Sequence, residues 1–350
     1  MRILAVTNMY PTAKAPHSGI FVEQQIKALR AIGVNVDLMI VERLERGLAC
    51  YLGLTREIQA KIRDSQPDIV HVMYGGVMAN IVTRTIRDRP TIVTFHGSDL
   101  LGEHLSGHLR KIIARYGVRS SRKAARRASH IVAVSQVLRD ALPHDINRSK
   151  VSIIPCGIDL GRFRPLNRDA CRQDLGWHGG RFHVLFPAAA GDPVKRSDLA
   201  QAAVDIVSRS GIAVEMHHLC GVENNLVPVW LNASDVLLLT SLHEGSPTVV
   251  KEALACNLPV VSVDVGDVRE RVDGIEGCYL ASPDPDHLAA SLQRVLRQRR
   301  RVAGRCKMEE LSLERVALRL KKLYENVLGS IKAKREMYSV HQMEESSGII

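Results

Sequence analysis

Aromatic residues are scarce in this 350-residue chain, where 2 Trp, 5 Phe and 7 Tyr make up 4% of the total. With no stacking platform and no recognisable motif beside them, that scarcity argues against a nucleic-acid partner. No run of eighteen apolar residues occurs, so no segment is expected to span a membrane. The opening MRILAVTN has too short an apolar run for a signal peptide and no small-residue cleavage site, and it reads as a first buried strand. Paired cysteines are missing too. Cys50, Cys156, Cys171, Cys220, Cys256, Cys278 and Cys306 are odd in number and scattered, without C-x-x-C spacing. That excludes a disulfide framework and a cysteine zinc site, and it fits a reducing, cytosolic setting. Fourteen histidines hold one adjacent pair, His217-His218, whose members point to opposite faces of a strand. No metal and no cofactor is therefore expected. Acidic residues are short in the first half only. Residues 1–157 hold 23 Lys and Arg against 12 Asp and Glu, whereas 158–350 hold 25 of each, so the whole excess of +11 lies in the first half. That half is expected to meet an anionic partner or surface.

What is present is the composition of a soluble globular protein, with 45% apolar and 24% charged residues, on a chain long enough for two domains. Buried-strand patterns at 2–6, 34–41, 68–73, 91–95, 130–134 and 151–154 alternate with helical ones such as 22–31 and 54–63. Strands alternating with helices predict a parallel, doubly wound α/β sheet. PCGIDLGRFRP at 155–165 interrupts the rhythm as a linker, and strand patterns resume at 182–186, 213–219, 236–239 and 260–263. The expected division is 1–157, 158–310, a terminal helix over 311–330, and a frayed tail over 331–350. No internal repeat of fixed period is visible.

The chain is organised around residues 235–263, DVLLLTSLHEGSPTVVKEALACNLPVVSV. Val236 to Leu239 form a short apolar run bounded by polar residues, as in a strand buried on both faces. Ser246 suits an N-cap and Pro247 a first helical position, and Val249, Val250, Ala253 and Leu254 then make an apolar stripe. Glu244 is thereby placed on the loop at the carboxyl end of a strand, the edge of an open α/β sheet where ligands sit. Glu252 falls on the polar face of the helix. Between the two acids lie unpaired amides at the positive end of the helix dipole, a seat for phosphate. Ionised carboxylates accept hydrogen bonds, so acids flanking an anion seat suit a ligand with hydroxyls at both ends, such as a nucleoside diphosphate sugar.

The segment EGSPTVVKE resembles the signature of the retaining GT-B glycosyltransferases of family four, E-G-x-P-x-x-x-x-E, and matches it in full. The resemblance implies two Rossmann-like domains facing across a cleft, with the terminal helix returning to brace the first. The first domain would be the acceptor side and the second the donor side. It assigns Glu244 to the donor sugar hydroxyls, Glu252 to the ribose, and the backbone of Gly245, Ser246, Pro247 and Thr248 to the diphosphate. Lys195, with Arg196 beside it, is similar to the family's phosphate-binding lysine, where a cation offsets charge on the leaving diphosphate. Relatives carry an arginine five or six positions before that lysine, whereas Ala189 and Ala190 stand there, and Arg196 is expected to supply the second charge. His96, in H-G-S-D at a strand end, resembles the histidine near the reacting sugar. Gly19 matches a glycine that lets backbone approach the donor or acceptor, although its neighbour is Ser18 where relatives often have a second glycine. Only about fifteen residues separate Leu219 from Asp235, too few for the strand and helix that relatives place by the nucleobase. The implied mechanism is front-face transfer with retention and without a metal.

Arg110, Lys111, Arg115, Arg119, Arg122, Lys123, Arg126 and Arg127 fall within 110–127, which has no acid. Ile112, Ile113 and Tyr116 sit there at helical spacing, which predicts a basic amphipathic helix suited to anionic headgroups or a phosphate-rich, lipid-linked acceptor. The chain is accordingly expected to be cytoplasmic and peripheral on the inner face of the cytoplasmic membrane, acting in cell-surface glycan synthesis. A sugar-nucleotide epimerase, a phosphorylase and a non-catalytic sugar-nucleotide binder stay open as alternatives.

Overall fold

The computed structural model describes residues 1–102, 107–177 and 179–347, with backbone alone for 109, 110, 332 and 334–347. β1 (Arg2–Thr7), β2 (Asn35–Ile40), β3 (Ile69–Val72), β4 (Thr91–Phe95), β5 (His130–Ala133) and β6 (Val151–Ile153) form one sheet in the order β2-β1-β3-β4-β5-β6. β7 (Phe182–Phe186), β8 (Val214–His218), β9 (Val236–Leu239), β10 (Val260–Val263) and β11 (Tyr279–Ala281) form a second, in the order β11-β10-β9-β7-β8. Every pairing in both sheets is parallel. Side chains alternate between two apolar layers. Leu4 and Val6 enter one layer while Ile3 and Ala5 enter the other, and in the second sheet Leu185 parts in the same way from Val184 and Phe186. Helices cover both faces, which is why these strands read as continuous apolar runs.

The strand order reverses between β1 and β3 in the first sheet and between β7 and β9 in the second. Loops leaving the carboxyl ends of the two strands at such a point diverge and open a crevice. The loop after β7 carries Lys195 and the loop after β9 carries Glu244, so topology alone brings these distant residues together.

Two chain crossings join the domains. Ile158 donates its N–H to the Leu311 carbonyl at 2.8 Å and accepts from the Leu313 N–H at 3.1 Å, so the crossings run side by side. The helix Leu313–Ser347 then returns to the first domain, where Val316, Leu320 and Tyr324 pack with Ile26 and Leu29. The Tyr324 hydroxyl meets His71 Nδ1 at 2.7 Å, and Thr94 Oγ1 meets His71 Nε2 at 2.6 Å.

The backbone of this helix continues to Ser347, past the frayed tail expected from residue 331. Once a helix is nucleated by packing, each further residue adds a bond at little cost, and 331–347 contain no Gly or Pro to stop it. β11, three residues long, gave no pattern in the sequence. Between Leu219 and Asp235 the chain forms the short helix Val227–Ala233 and no strand. Among the described residues no helix is long and apolar enough to cross a membrane.

Candidate active site

Glu244 is fixed by stitching between two loops. The Thr240 hydroxyl bonds the Lys195 and Arg196 carbonyls at 2.7 and 2.9 Å, and the Leu242 N–H donates to the Val194 carbonyl at 2.8 Å. Lys195 Nζ then reaches Glu244 Oε1 at 2.5 Å, and the Ser241 hydroxyl donates to the same oxygen at 2.7 Å. Oε2 accepts no hydrogen bond among the described residues, so half of this carboxylate is available to a ligand hydroxyl. The lysine keeps 29% of its side chain exposed and lies where it can turn toward an incoming anion.

The helix after Glu244 spans Thr248–Ala255, with Pro247 at the N-cap position and no side-chain cap. The expected cap, Ser246, is engaged elsewhere: its hydroxyl bonds Asp267 Oδ2 at 2.8 Å and accepts from Lys251 Nζ at 2.9 Å. Lys251 is wholly buried and also donates to the Cys156 carbonyl of the linker at 3.1 Å, while Arg271 holds Asp267 at 3.0 Å. The result is a helix start with uncapped amides, which favours an anion.

The opposite wall is His96, one residue past β4. Burial holds its imidazole down at about 3, helped by the nearby His71 and Lys251, with the Met73 carbonyl pulling weakly the other way. It is neutral at physiological pH. Nδ1 lies 3.6 Å from Cys156 Sγ, Phe21 and Tyr74 flank the ring, and Nε2 has no well-formed hydrogen bond among the described residues. A buried ring nitrogen without a well-formed bond at the wall of a cleft is a candidate contact for a ligand hydroxyl.

Asp99 positions this histidine. Its carboxylate accepts from the N–H groups of Gly97 at 2.8 Å, Gly75 at 2.9 Å and His96 at 3.1 Å. Burial raises its carboxyl to about 6, and those N–H groups pull it back down. Asp99→Ala would strand three amides. The expected loss of stability is about 2–4 kcal/mol by chemical denaturation, with a lowered kcat because the His96 loop relaxes.

His96, Lys195, Glu244, Gly245, Thr248 and Phe21 line one cavity of about 290 Å³ between the domains. Ser246 and Pro247 complete its floor. Three of the residues expected in the site do not line it. Gly19 has φ 67°, and a Cβ there would lie 2.2 Å from the Met9 backbone, so internal packing by itself requires a glycine at this position. Arg196, with φ 55°, occupies the N-cap position of the helix Ser197–Arg209, and that left-handed turn carries the chain away from the cavity after Lys195.

Glu252 lies one turn beyond Thr248. Its carboxyl is raised to about 7 by burial, against the nearby charges of Arg162 and then Lys251. No hydrogen bond or ion pair holds it among the described residues. Since the folded state keeps a proton that the unfolded chain releases near pH 4.3, this group costs stability as pH climbs from there through about 7. Ribose hydroxyls donating to the carboxylate would favour its ionised form. Nucleotide binding at pH 6.5 is therefore expected to release a proton and to tighten between pH 6 and 8, measured by calorimetry in buffers of different ionisation enthalpy. Glu252→Gln should abolish that release.

The basic helix runs His108–Arg127. Lys111, Arg115, Arg119, Arg122 and Lys123 are exposed, while Arg126 pairs with Asp145 at 2.6 Å and Arg127 bonds Asn80 at 2.7 Å. The Arg110 side chain lies outside the described residues. Ile112 and Tyr116, 59% and 57% exposed, line a cavity of about 630 Å³ with Leu44, Leu48 and Tyr74.

Sequence reasoning missed Ser241, Lys251 and Asp267. A lysine inside an apolar stripe carries no signal of burial, whereas the i,i+4 spacing of Asp267 and Arg271 was readable.

Two parallel-sheet domains with a lysine–glutamate pair, an uncapped helix start and a neutral histidine across a cleft define a GT-B glycosyltransferase. The chain belongs to the family four and group one glycosyltransferases: the model for Glycosyltransferase Family 4 matches residues 18–162 and that for Glycosyl transferases group 1 matches 188–298. It is similar to the protein described as a teichuronic acid biosynthesis glycosyltransferase, TuaC of Bacillus subtilis, at 26% identity over 328 aligned positions. That match covers 77% of this chain and 82% of the relative. A D-inositol 3-phosphate glycosyltransferase of Geodermatophilus obscurus is 27% identical, covering 74% of this chain and 66% of its own. Sucrose-phosphate synthase of Thermosynechococcus elongatus superposes with a TM-score of 0.77 at 17% identity, over 94% of this chain and all of that one. Anabaena HepE, solved with UDP and glucose, gives 0.69 at 16%, over 93% of this chain and all of that one. At such identities the two structures show the fold.

Proposed function

We propose that this enzyme moves a sugar from a nucleoside diphosphate donor to an acceptor hydroxyl with retention of anomeric configuration and without a metal. The observation that carries the reading is the cavity in which Glu244, Lys195 and the uncapped helix start face His96. Glu244 takes the donor sugar hydroxyls, Lys195 and the amides of Gly245, Ser246, Thr248 and Val249 take the diphosphate, Glu252 takes the ribose, and His96 orients the sugar. As the glycosidic bond breaks, charge grows on the departing diphosphate, where Lys195 and the helix dipole are already placed. That oxygen then accepts the acceptor's proton. Among the described residues lining the cavity Glu244 is the only acid, and it is tied to Lys195, so a double displacement through two carboxylates finds little support.

The exposed apolar residues beside the basic helix favour an acceptor with an anionic group on a lipid, met at a membrane surface, as an intermediate of cell-surface glycan synthesis. The test is to incubate the enzyme with nucleoside diphosphate sugars and lipid-phosphate acceptors in the presence of chelator. Retained configuration by NMR and unchanged turnover support the reading. An inverted anomer, an epimerised donor with no transfer, or a strict divalent-ion requirement would each refute it.

A further inference from the structure

His217 and His218 do face opposite ways. His218 Nδ1 meets the Ala188 carbonyl at 3.0 Å, and its ring lies edge-on to Phe186. His217 points to the other face of the second sheet. There β7 and β8 pair in the register His183↔Glu215 and Leu185↔His217, which places His183, Glu215 and His217 on one face. His183 Nδ1 and His217 Nε2 are 2.8 Å apart, and the ligand atoms of His183, Glu215 and His217 all lie within 4.8 Å of one another.

We propose that His183, Glu215 and His217 form a binding site for a divalent first-row transition ion, with Zn²⁺ the best match. Two imidazole nitrogens and one carboxylate oxygen are a borderline donor set, suited to Zn²⁺, Co²⁺ or Ni²⁺ and poor for Mg²⁺ or Ca²⁺. Metal–nitrogen bonds of about 2.0–2.1 Å at a tetrahedral angle set the two nitrogens roughly 3.3 Å apart. Rotation of the two rings by about half an ångström at their tips provides that, and the ring that carries the shared proton moves it to its other nitrogen. Water completes the coordination. His183 and Glu215 are the second residues of β7 and β8 and His217 the fourth of β8, and none of the three lines the cavity that holds Lys195 and Glu244. The ion would tie the edge strand β8 to β7 and brace the second domain.

Trp177 stacks on His217 with ring centres 3.7 Å apart, and Trp230 stands edge-on to Trp177 at 5.3 Å. These are the chain's only two tryptophans, so intrinsic fluorescence reads this site directly. The experiment takes the full chain, stripped with chelator and dialysed, and titrates it with Zn²⁺ and separately with Co²⁺. One equivalent is expected to change tryptophan emission and raise the thermal midpoint, and Co²⁺ should give the absorption of a nitrogen- and oxygen-ligated ion. His217→Gln should abolish the change, Glu215→Gln should weaken binding by about tenfold or more, and His218→Gln should leave it intact. Glu215 and His217 are only part-buried, so these variants are expected to fold, which circular dichroism checks. No saturable change below about 1 mM Zn²⁺, or binding that survives both His217→Gln and Glu215→Gln, would overturn the proposal.

Discussion

Glu244→Ala is expected to lower kcat/KM by about 10³-fold or more, equivalent to roughly 4 kcal/mol of transition-state stabilisation. The variant loses the acceptor of the donor sugar hydroxyls, and it frees Lys195 from the 2.5 Å contact that aims it along the cavity. Stability should hardly change, because Lys195 is 29% exposed and regains water when its partner is removed. Glu244→Gln keeps an oxygen for the Ser241 hydroxyl and removes the charge, so an intermediate loss is expected. Steady-state kinetics beside thermal unfolding separates the two effects. Wild-type turnover in Glu244→Ala would remove the residue from the reaction.

The second large effect comes from a methyl group. A Cβ at Gly245 would stand 1.9 Å from the His96 carbonyl oxygen and 2.9 Å from Gly97 Cα, and all three of its nearest atoms belong to the opposite domain. Gly245→Ala therefore leaves each domain free to fold and blocks their approach. Displacing one catalytic wall by about 1 Å costs on the order of 100-fold in rate. The expected result is that loss in kcat/KM with a nearly unchanged thermal midpoint and a larger radius of gyration by small-angle scattering. Gly19→Ala makes the contrast. Its clash is with Met9 in its own domain, at a position with φ 67°, so it should destabilise the fold.

The central strands were legible because each is a short apolar run buried on both faces, and ten of the eleven strands among the described residues fall on patterns read in the sequence, the part-exposed edge strands β2, β6 and β8 among them. Glu244 was legible for the same reason, since a strand end followed by Gly-Ser-Pro and a helix locates it at a ligand-binding edge. Ser246 was misassigned because its partner, Asp267, lies 21 residues away on another loop, and local propensity favours a cap wherever no distant acceptor competes. The pairing of His183 with His217 depends on strand register across 34 residues, which periodicity does not carry. The continuation of the terminal helix to Ser347 was hidden because mixed charge without an apolar stripe resembles a tail.

Amide hydrogen exchange on the full chain, with and without a panel of nucleoside diphosphates, tests the donor cradle most directly. Protection is expected at the amides of Gly245, Ser246, Thr248 and Val249, with a further effect at Lys195, and it should disappear in Glu244→Ala with a sugar-bearing donor. Saturating nucleotide that leaves those amides exchanging as in the free protein, or protects only a region elsewhere, would contradict the assignment of this cleft.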